Sequence, residues 1–484
     1  MSASRDNSIV VENHRPGTLS WLPQSLPFEP LTDFGELVRG RTVLDSGRSA
    51  RIEGWCSHPS VQAGDSLEIF VSMNPAGEFA LDVYRMGFYQ GTGARHMLNA
   101  GPIAGTTQRE PSPDSERLVE CEWTATHTVS IPSDWLSGVY IGKLTRTDDG
   151  SQSYVIFVVR DEREAELIAQ TSDFTWQAYN GWPADFSLYS DGGEALYYGR
   201  EVTVSFERPY SHVGFSTALP GTGRYFSFEF PFTYWMEANG YDVTYCSNLD
   251  THRGTAAPTR AAGFLSIGHD EYWTVEMYDN LRAAVDAGVS VGFFSGNICC
   301  AAIGLRPGAS GRPDRVFSRV NYFGDGDLGV RLRELLGATG ETRDEGLLIG
   351  AGSEMPTCGC GHWVCTVPDH WVFEGTGMAE GDVIPNLCGH EWQGEPADIE
   401  GLEIISRGPT HDPTDGPGEY VATVYYGPHG NVVFNGSATW WATGLAHPPG
   451  FQRPTFKGMP SARPDARAQR ITENVLQKML AARA

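Results

Sequence analysis

Apolar and polar positions along this chain change their period twice. In the first third they alternate with a period of two. The runs are Ser66-Leu67-Glu68-Ile69-Phe70-Val71-Ser72, Phe79-Ala80-Leu81-Asp82-Val83-Tyr84, Val139-Tyr140-Ile141-Gly142-Lys143-Leu144 and Tyr154-Val155-Ile156-Phe157-Val158-Val159. Such alternation places successive side chains on opposite faces of a strand, and turn signals such as Asp148-Asp149-Gly150 separate the runs. About seven short strands at this spacing predict an immunoglobulin-like β-sandwich over 46–161. Ahead of it, residues 1–45 hold few periodic signals and several prolines, and are expected to form an extended N-terminal arm on the surface. The charged stretch Arg160–Glu166 reads as a hinge.

After Leu167 the pattern becomes mixed. Glu229–Gly240 is expected to be a helix closed by Gly240, and Tyr241–Cys246 a strand. Gly263–Gly268 and Val289–Phe294 are unbroken apolar runs of buried-strand length. Between them, Thr274–Gly288 carries Val275, Tyr278, Leu281 and Val285 on one helical stripe, with Thr274 as N-cap and Gly288 past the end. Strand, helix and strand in so few residues predict a parallel sheet, hence an α/β domain over 167–484. Tyr420–Tyr426 and Asn431–Asn435 read as further strands, and Ala466–Leu480 as a closing helix.

Charge narrows the partners. With 35 basic against 60 acidic residues the net charge is −25, which excludes a nucleic-acid surface and disfavours anionic membranes. No run approaches the roughly 18 apolar residues of a membrane span, and the N-terminus has no signal-peptide core. A cytoplasmic location is expected, with the nine cysteines as thiols.

In open parallel sheets, ligands bind beyond the carboxyl ends of the strands. Two strands end here in polar turns: Gly268-His269-Asp270-Glu271-Tyr272-Trp273 and Ser295-Gly296-Asn297-Ile298-Cys299-Cys300. His269, Asp270 and Glu271 are candidates for the acid and base that activate water, set against a plain helix-capping role for the two acids. Asn297 belongs to the same candidate catalytic group. Cys299 and Cys300 read either as nucleophile candidates or as two small buried hydrophobes. The central expectation is that the Tyr272 turn and the Cys299–Cys300 turn face one solvent-reachable hollow. A third cluster, Cys358, Cys360, His362 and Cys365, lies in a Gly-rich segment expected to be a loop. It offers soft metal ligands without the usual paired spacing, and Cys388-Gly389-His390-Glu391 is a candidate to join it.

Several motifs together resemble one family, the N,N-dimethylformamidase large (beta) subunit-like proteins. They are Glu12–Thr18, Asp82–Tyr89, Asp134–Tyr140, Thr175–Asn180 through Ser187–Tyr189, Gly268–Trp273, Ser295–Asn297, His370–Gly377 and Val432–Ser437, in order along nearly the whole chain. The resemblance implies a β-sandwich followed by a glutamine-amidotransferase-like α/β domain. It also implies a hydrolase of amide (formamide-like) C–N bonds, in which two tyrosines and a glutamate hold an iron and water attacks the amide carbon. Carried onto this chain, Tyr272 matches a tyrosine ligand and Glu334 stands loosely where the glutamate is expected. The second tyrosine falls on Phe230, which cannot ligate unless Tyr225 or Tyr234 substitutes. Tyr179 and Asn180 are expected to contact the substrate, and the resemblance allows homo-oligomers or a small partner subunit. Two alternatives stand beside this metal-assisted amidase: a metal-free hydrolase using Cys299 or Cys300, and a catalytically silent binding protein on the same scaffold.

Overall fold

The computed structural model describes residues 7–23, 49–183, 186–190, 199, 202–211, 224–324, 326–338, 340–356 and 358–482. Its spine is a nine-stranded sheet. Val243–Ser247, Leu167–Thr171, Gly263–Gly268, Ser290–Ser295 and Val432–Asn435 lie side by side in parallel. Gly416–Tyr426, Glu403–Asp412, Cys358–Val364 and Val383–Glu391 continue the sheet antiparallel.

The apolar runs are continuous because both faces of this sheet are covered. Phe264, Val291 and Phe293 enter the core that holds Met277, Leu281 and Val285 of the helix Val275–Asp286. Their strand neighbours Leu265, Ile267 and Phe294 enter the opposite core, with Ile471, Val475 and Met479 of the helix Ala466–Ala481. Gly263 is where that last helix comes closest: a Cβ there would lie 2.5 Å from Met479 Cε. Thr274 caps the first helix as expected, accepting from the Met277 amide. The Glu229–Gly240 segment is a helix over Phe230–Ala238, entered through a π-helical turn at Tyr225–Glu229.

The alternating segment folds into two further sheets. One is ordered Ile52–Cys56, Ser66–Met73, His127–Ser130. The other is ordered Ser60–Gln62, Gln152–Arg160, Gly138–Arg146, Gly77–Met86, Ala94–Gly105. Leu67, Ile69 and Val71 of the first share a core with Leu81, Val83, Leu144 and Phe157 of the second. A fourth sheet, Val204–Ser205, Val316–Tyr322, Ala301–Arg306 and Tyr272–Trp273, flanks the candidate turns.

Two expectations change. Within the N-terminal stretch, residues 8–13 form a helix capped by Asn7, and Trp21 is buried, because its ring packs on Phe226 and Phe230. The rest of the expected arm lies outside the described residues. The Gly-rich segment expected as a loop is the strand Cys358–Val364. Its glycines permit close strand approach, since a Cβ on Gly361 would sit 2.5 Å from the Pro409 carbonyl oxygen. Cys360 and Cys365 enter different apolar clusters, so the four candidate metal ligands do not converge. No disulfide joins the nine cysteines. Among the described residues no helix is long and apolar enough to cross a membrane.

A buried ion pair ties the N-terminal sheets to the helix Phe230–Ala238. Arg85 Nη2 donates to Glu237 Oε1 at 2.9 Å and Nη1 to Oε2 at 3.0 Å, both side chains fully buried. Tyr245 Oη and Asn13 Nδ2 also donate to Glu237, and Arg85 donates to the Ser137 carbonyl. Glu237→Ala therefore leaves a guanidinium uncompensated, and should cost about 3–5 kcal/mol in a denaturant titration.

Asp173 lines a cavity of about 20 Å³ with Trp55, His58 and Tyr210, and burial pushes its carboxyl from 3.8 up to about 8. In the folded state the group holds its proton over a range where the unfolded chain has lost it. Its contribution thus falls as pH rises from about 4 to 8, by at most about 1.4 kcal/mol per pH unit, and is flat above. Asp173→Asn should remove that slope, so thermal melts at pH 5 and pH 8 should show the variant gaining on the wild type with pH. A constant difference would overturn this assignment.

Candidate functional site

The site forms where two neighbouring parallel strands end. Gly268 closes the first with φ 83°, and a Cβ there would lie 2.9 Å from the Phe228 carbonyl oxygen, so the turn accepts no larger residue. Gly296 follows the second, and a Cβ there would lie 2.1 Å from the Glu391 carbonyl oxygen. The turns are joined edge to edge. Cys299 N donates to the Asp270 carbonyl at 3.0 Å and Ala301 N to the Glu271 carbonyl at 3.1 Å, and Tyr272 pairs with Ala301.

Between them lies a compact polar cluster. Glu271 accepts from two phenols, Tyr179 Oη on Oε2 at 2.7 Å and Tyr189 Oη on Oε1 at 2.8 Å. The two phenol oxygens are 2.9 Å apart and the rings stack at 4.6 Å. On the other side, His269 Nε2 lies 3.4 Å from Glu271 Oε2 and in contact with Glu391 Oε2. His390 Nε2 is 3.3 Å from the same Glu391 oxygen. Arg224 Nη1 contacts His269 Nδ1. A guanidinium can only donate, so Nδ1 accepts and the neutral ring carries its proton on Nε2, facing the carboxylates. Phe228, Trp440 and Phe456 pack around the His390 ring.

The two carboxyls are driven apart. Burial raises Glu271, and Glu391 raises it further, against the lowering effect of His269. Burial also acts to raise Glu391, but the imidazoles of His269 and His390 outweigh it and hold that carboxyl well below the usual range. Burial lowers both histidines. Tyr179 and Tyr189 are pushed well above the ordinary phenol value by burial and by Glu271. A weakly acidic phenol pair thus donates to a carboxyl whose proton affinity is raised, beside a second carboxyl whose proton affinity is lowered.

Of the residues singled out from sequence, His269 and Glu271 stand at the centre of this cluster, with Tyr179. Asp270 does not face it. Its oxygens accept from Asn248 Nδ2, Gln170 Nε2 and Ser266 Oγ, which makes it a structural knot rather than an acid or base. Asn180 is likewise committed. Its amide donates to Gln177 and the Pro209 carbonyl and its oxygen accepts from Trp182 and Ser211, so nothing remains for a substrate. Asn297 accepts from Ser353 Oγ at 3.1 Å and is buried.

The Tyr272 and Cys299–Cys300 turns are adjacent, but all three side chains are buried. Burial pushes both thiols far up, with Glu345 adding to the effect, so neither is poised as a thiolate. Tyr272 Oη donates to Tyr189 Oη at 2.5 Å instead of meeting a carboxylate. Glu334 is exposed on the helix Asp327–Leu336, where solvation suits its charge, and takes no part. Phe230 packs on Trp21, Tyr225 and Tyr234 in the apolar core. The two phenols and one carboxylate come together without it.

Tyr189, Arg224 and Arg319 carry no sequence-level role, and His390 and Glu391 are read from sequence only as candidates to join the cysteine cluster. Tyr189 sits inside the Ser187–Tyr189 motif of the family resemblance. Glu391 pairs across strands with Cys358, whose thiol contacts its Oε1 at 3.5 Å, and its carbonyl packs against the Gly296 turn, which sets its carboxyl beside His269.

Two groups here could hold a cation. Ligand atoms of His269, His390 and Glu391 lie within 4.8 Å of one another, and His269 Nε2 and Glu391 Oε2 are buried without a hydrogen bond of acceptable geometry. Tyr179, Tyr189 and Glu271 form an all-oxygen set beside them.

No curated protein matches the chain. Among solved structures, the crystal structure of murine CEACAM1b is similar over 24% of this chain and 61% of that one. It has 10% identity and a TM-score of 0.14, too low to bear on the fold. The family described as N,N-dimethylformamidase beta subunit-like, C-terminal, matches residues 80–454, well over half of the sequence. The chain belongs to the N,N-dimethylformamidase beta subunit-like family.

Proposed function

We propose that the protein hydrolyses amide C–N bonds of the formamide type and does so with a bound iron. The observation that carries this reading is the convergence of Tyr179, Tyr189 and Glu271, two phenol oxygens on one buried carboxylate. Phenolate and carboxylate are hard oxygen donors, a set that suits ferric iron. Bound there, iron would polarise a carbonyl and lower the pKa of water beside it.

The rest belongs to the chain's own groups. Glu391 is the carboxyl held ionised, so its Oε2 takes a proton from water as the water oxygen bonds to the amide carbon. The carbonyl π pair moves onto oxygen, and the resulting tetrahedral adduct re-forms its C=O bond as the C–N bond breaks. Glu391 returns its proton to the departing nitrogen, which leaves an acid and an amine. His269, with its Nε2 proton between Glu271 and Glu391, keeps the two carboxylates in register. Burial of both carboxyls limits competing bulk water.

A thiol nucleophile is the weaker reading, because Cys299 and Cys300 are buried and their neighbours Glu345, Asp270 and Glu271 oppose ionisation. The same reading takes the N-terminal sheets as an immunoglobulin-like domain over 46–161 and the parallel sheet as an amidotransferase-like domain over 167–484. It also expects a cytoplasmic protein that assembles with copies of itself or with a small partner subunit.

Elemental analysis of the purified protein should find about one iron per chain, as one mononuclear site requires, and Tyr179→Phe or Glu271→Gln should deplete it. Full amide-hydrolase activity in iron-free protein would sink the reading. Glu391→Gln should lower kcat by roughly 100- to 10,000-fold while iron content stays at the wild-type level. An unchanged kcat in that variant would remove Glu391 as the base.

A further inference from the structure

The cluster contains three tyrosines where the proposed cation needs two, and Tyr272 is the one left over. It is fully buried, and its neighbours give its hydroxyl a direction. Arg319 Nη2 donates to Tyr272 Oη at 3.2 Å. Because a guanidinium cannot accept, the Tyr272 oxygen is the acceptor of that bond and its own proton goes to Tyr189 Oη, 2.5 Å away. Arg319 is held by donating from Nη1 to the Leu188 carbonyl at 3.0 Å, one residue before Tyr189. Its guanidinium lies 4.3 Å from the centre of the Tyr189 ring. Arg224 sits in the same relation to the other phenol, 3.7 Å from the Tyr179 ring centre. Each phenol of the proposed ligand set therefore has a buried cation against its face.

We propose that Tyr272 is a positioning residue: a hydrogen-bond donor, backed by Arg319, to the phenolate oxygen of Tyr189, and not itself a ligand. The inference rests on the iron reading above. A phenolate that accepts a hydrogen bond carries less charge on its oxygen and donates less to a metal. Its charge-transfer absorption to ferric iron then lies at higher energy than that of an unbonded phenolate. The relay also orients the Tyr189 oxygen, since the Leu188 carbonyl and the Tyr189 ring are both gripped by one guanidinium. Outer partners of this kind set ligand orientation and donor strength at metal sites.

The test is the visible spectrum and iron affinity of iron-loaded wild type, Tyr272→Phe and Arg319→Gln, with Tyr189→Phe as the control that removes a ligand. Tyr272→Phe should keep its iron, with affinity within about tenfold of wild type as expected for one lost hydrogen bond. Its charge-transfer band should move to longer wavelength. Arg319→Gln, which removes the charge but keeps a donor, should move the band the same way, and serves alone if Tyr272→Phe does not fold. A band that stays in place in both variants overturns the relay. Loss of the band in Tyr272→Phe to the extent seen in Tyr189→Phe makes Tyr272 a ligand and also overturns it. Wild type that takes up iron with no such band overturns the ligand assignment itself, which is a different result from an unmoved band.

Discussion

The arrangement of the site depends on one buried carboxylate whose oxygens are engaged away from the polar cluster. Asp270 accepts from Gln170 on the strand Leu167–Thr171, from Ser266 on the strand Gly263–Gly268, and from Asn248 just past the strand Val243–Ser247. Its backbone amide donates to Ser295 Oγ, at the end of Ser290–Ser295. Four neighbouring strand ends are thus pinned at one residue, three through its side chain and one through its backbone amide. A buried carboxylate is tolerated only while its donors remain in place, so a slip of any strand would strand polar groups in a dry interior. The knot holds the turn still, and His269 and Glu271 on either side of it are fixed as a consequence.

Around that fixed turn, charge is concentrated and then divided. Glu271 and Glu391 are both buried, yet their environments pull them in opposite directions. Burial and the neighbouring Glu391 raise Glu271 against the pull of His269 and the two phenols, while the two imidazoles beside Glu391 overcome its burial and lower it. The arginines against Tyr179 and Tyr189 add fixed positive charge in the same small volume. The Arg85–Glu237 pair performs a different service. It fastens the N-terminal sheets to the helix Phe230–Ala238, whose preceding turn supplies Phe228 against the His390 ring.

How much of this could be read along the chain follows from the range of each interaction. The strand at Gly263–Gly268, the capped helix after Thr274 and the final helix were legible, because burial on two faces or one stripe writes itself into local periodicity. The strand at Cys358–Val364 was not. Its glycines look like loop residues, and their purpose, close approach to Pro409 and His411, appears only when a partner strand is present. His269 and Glu271 were legible as a polar turn at a strand end. Asp270 between them looks equally reactive in sequence, and only the tertiary structure reveals the three side chains that engage its oxygens.

The sequence by itself determined the element types of the sandwich strands and the parallel strands, the acidic surface, the turn at 268–273 and the family to which the motifs belong. Tertiary structure decided which tyrosines share a carboxylate, that Phe230 belongs to the core, that Glu334 faces solvent, and that His390 and Glu391 complete the cluster. The reason is physical. Periodicity, capping and charge act over a few residues and leave a local trace, whereas Tyr179, Tyr189, Glu271 and Glu391 meet across more than 200 positions through strand pairing. The role of each side chain there is set by which atoms oppose it once water is gone.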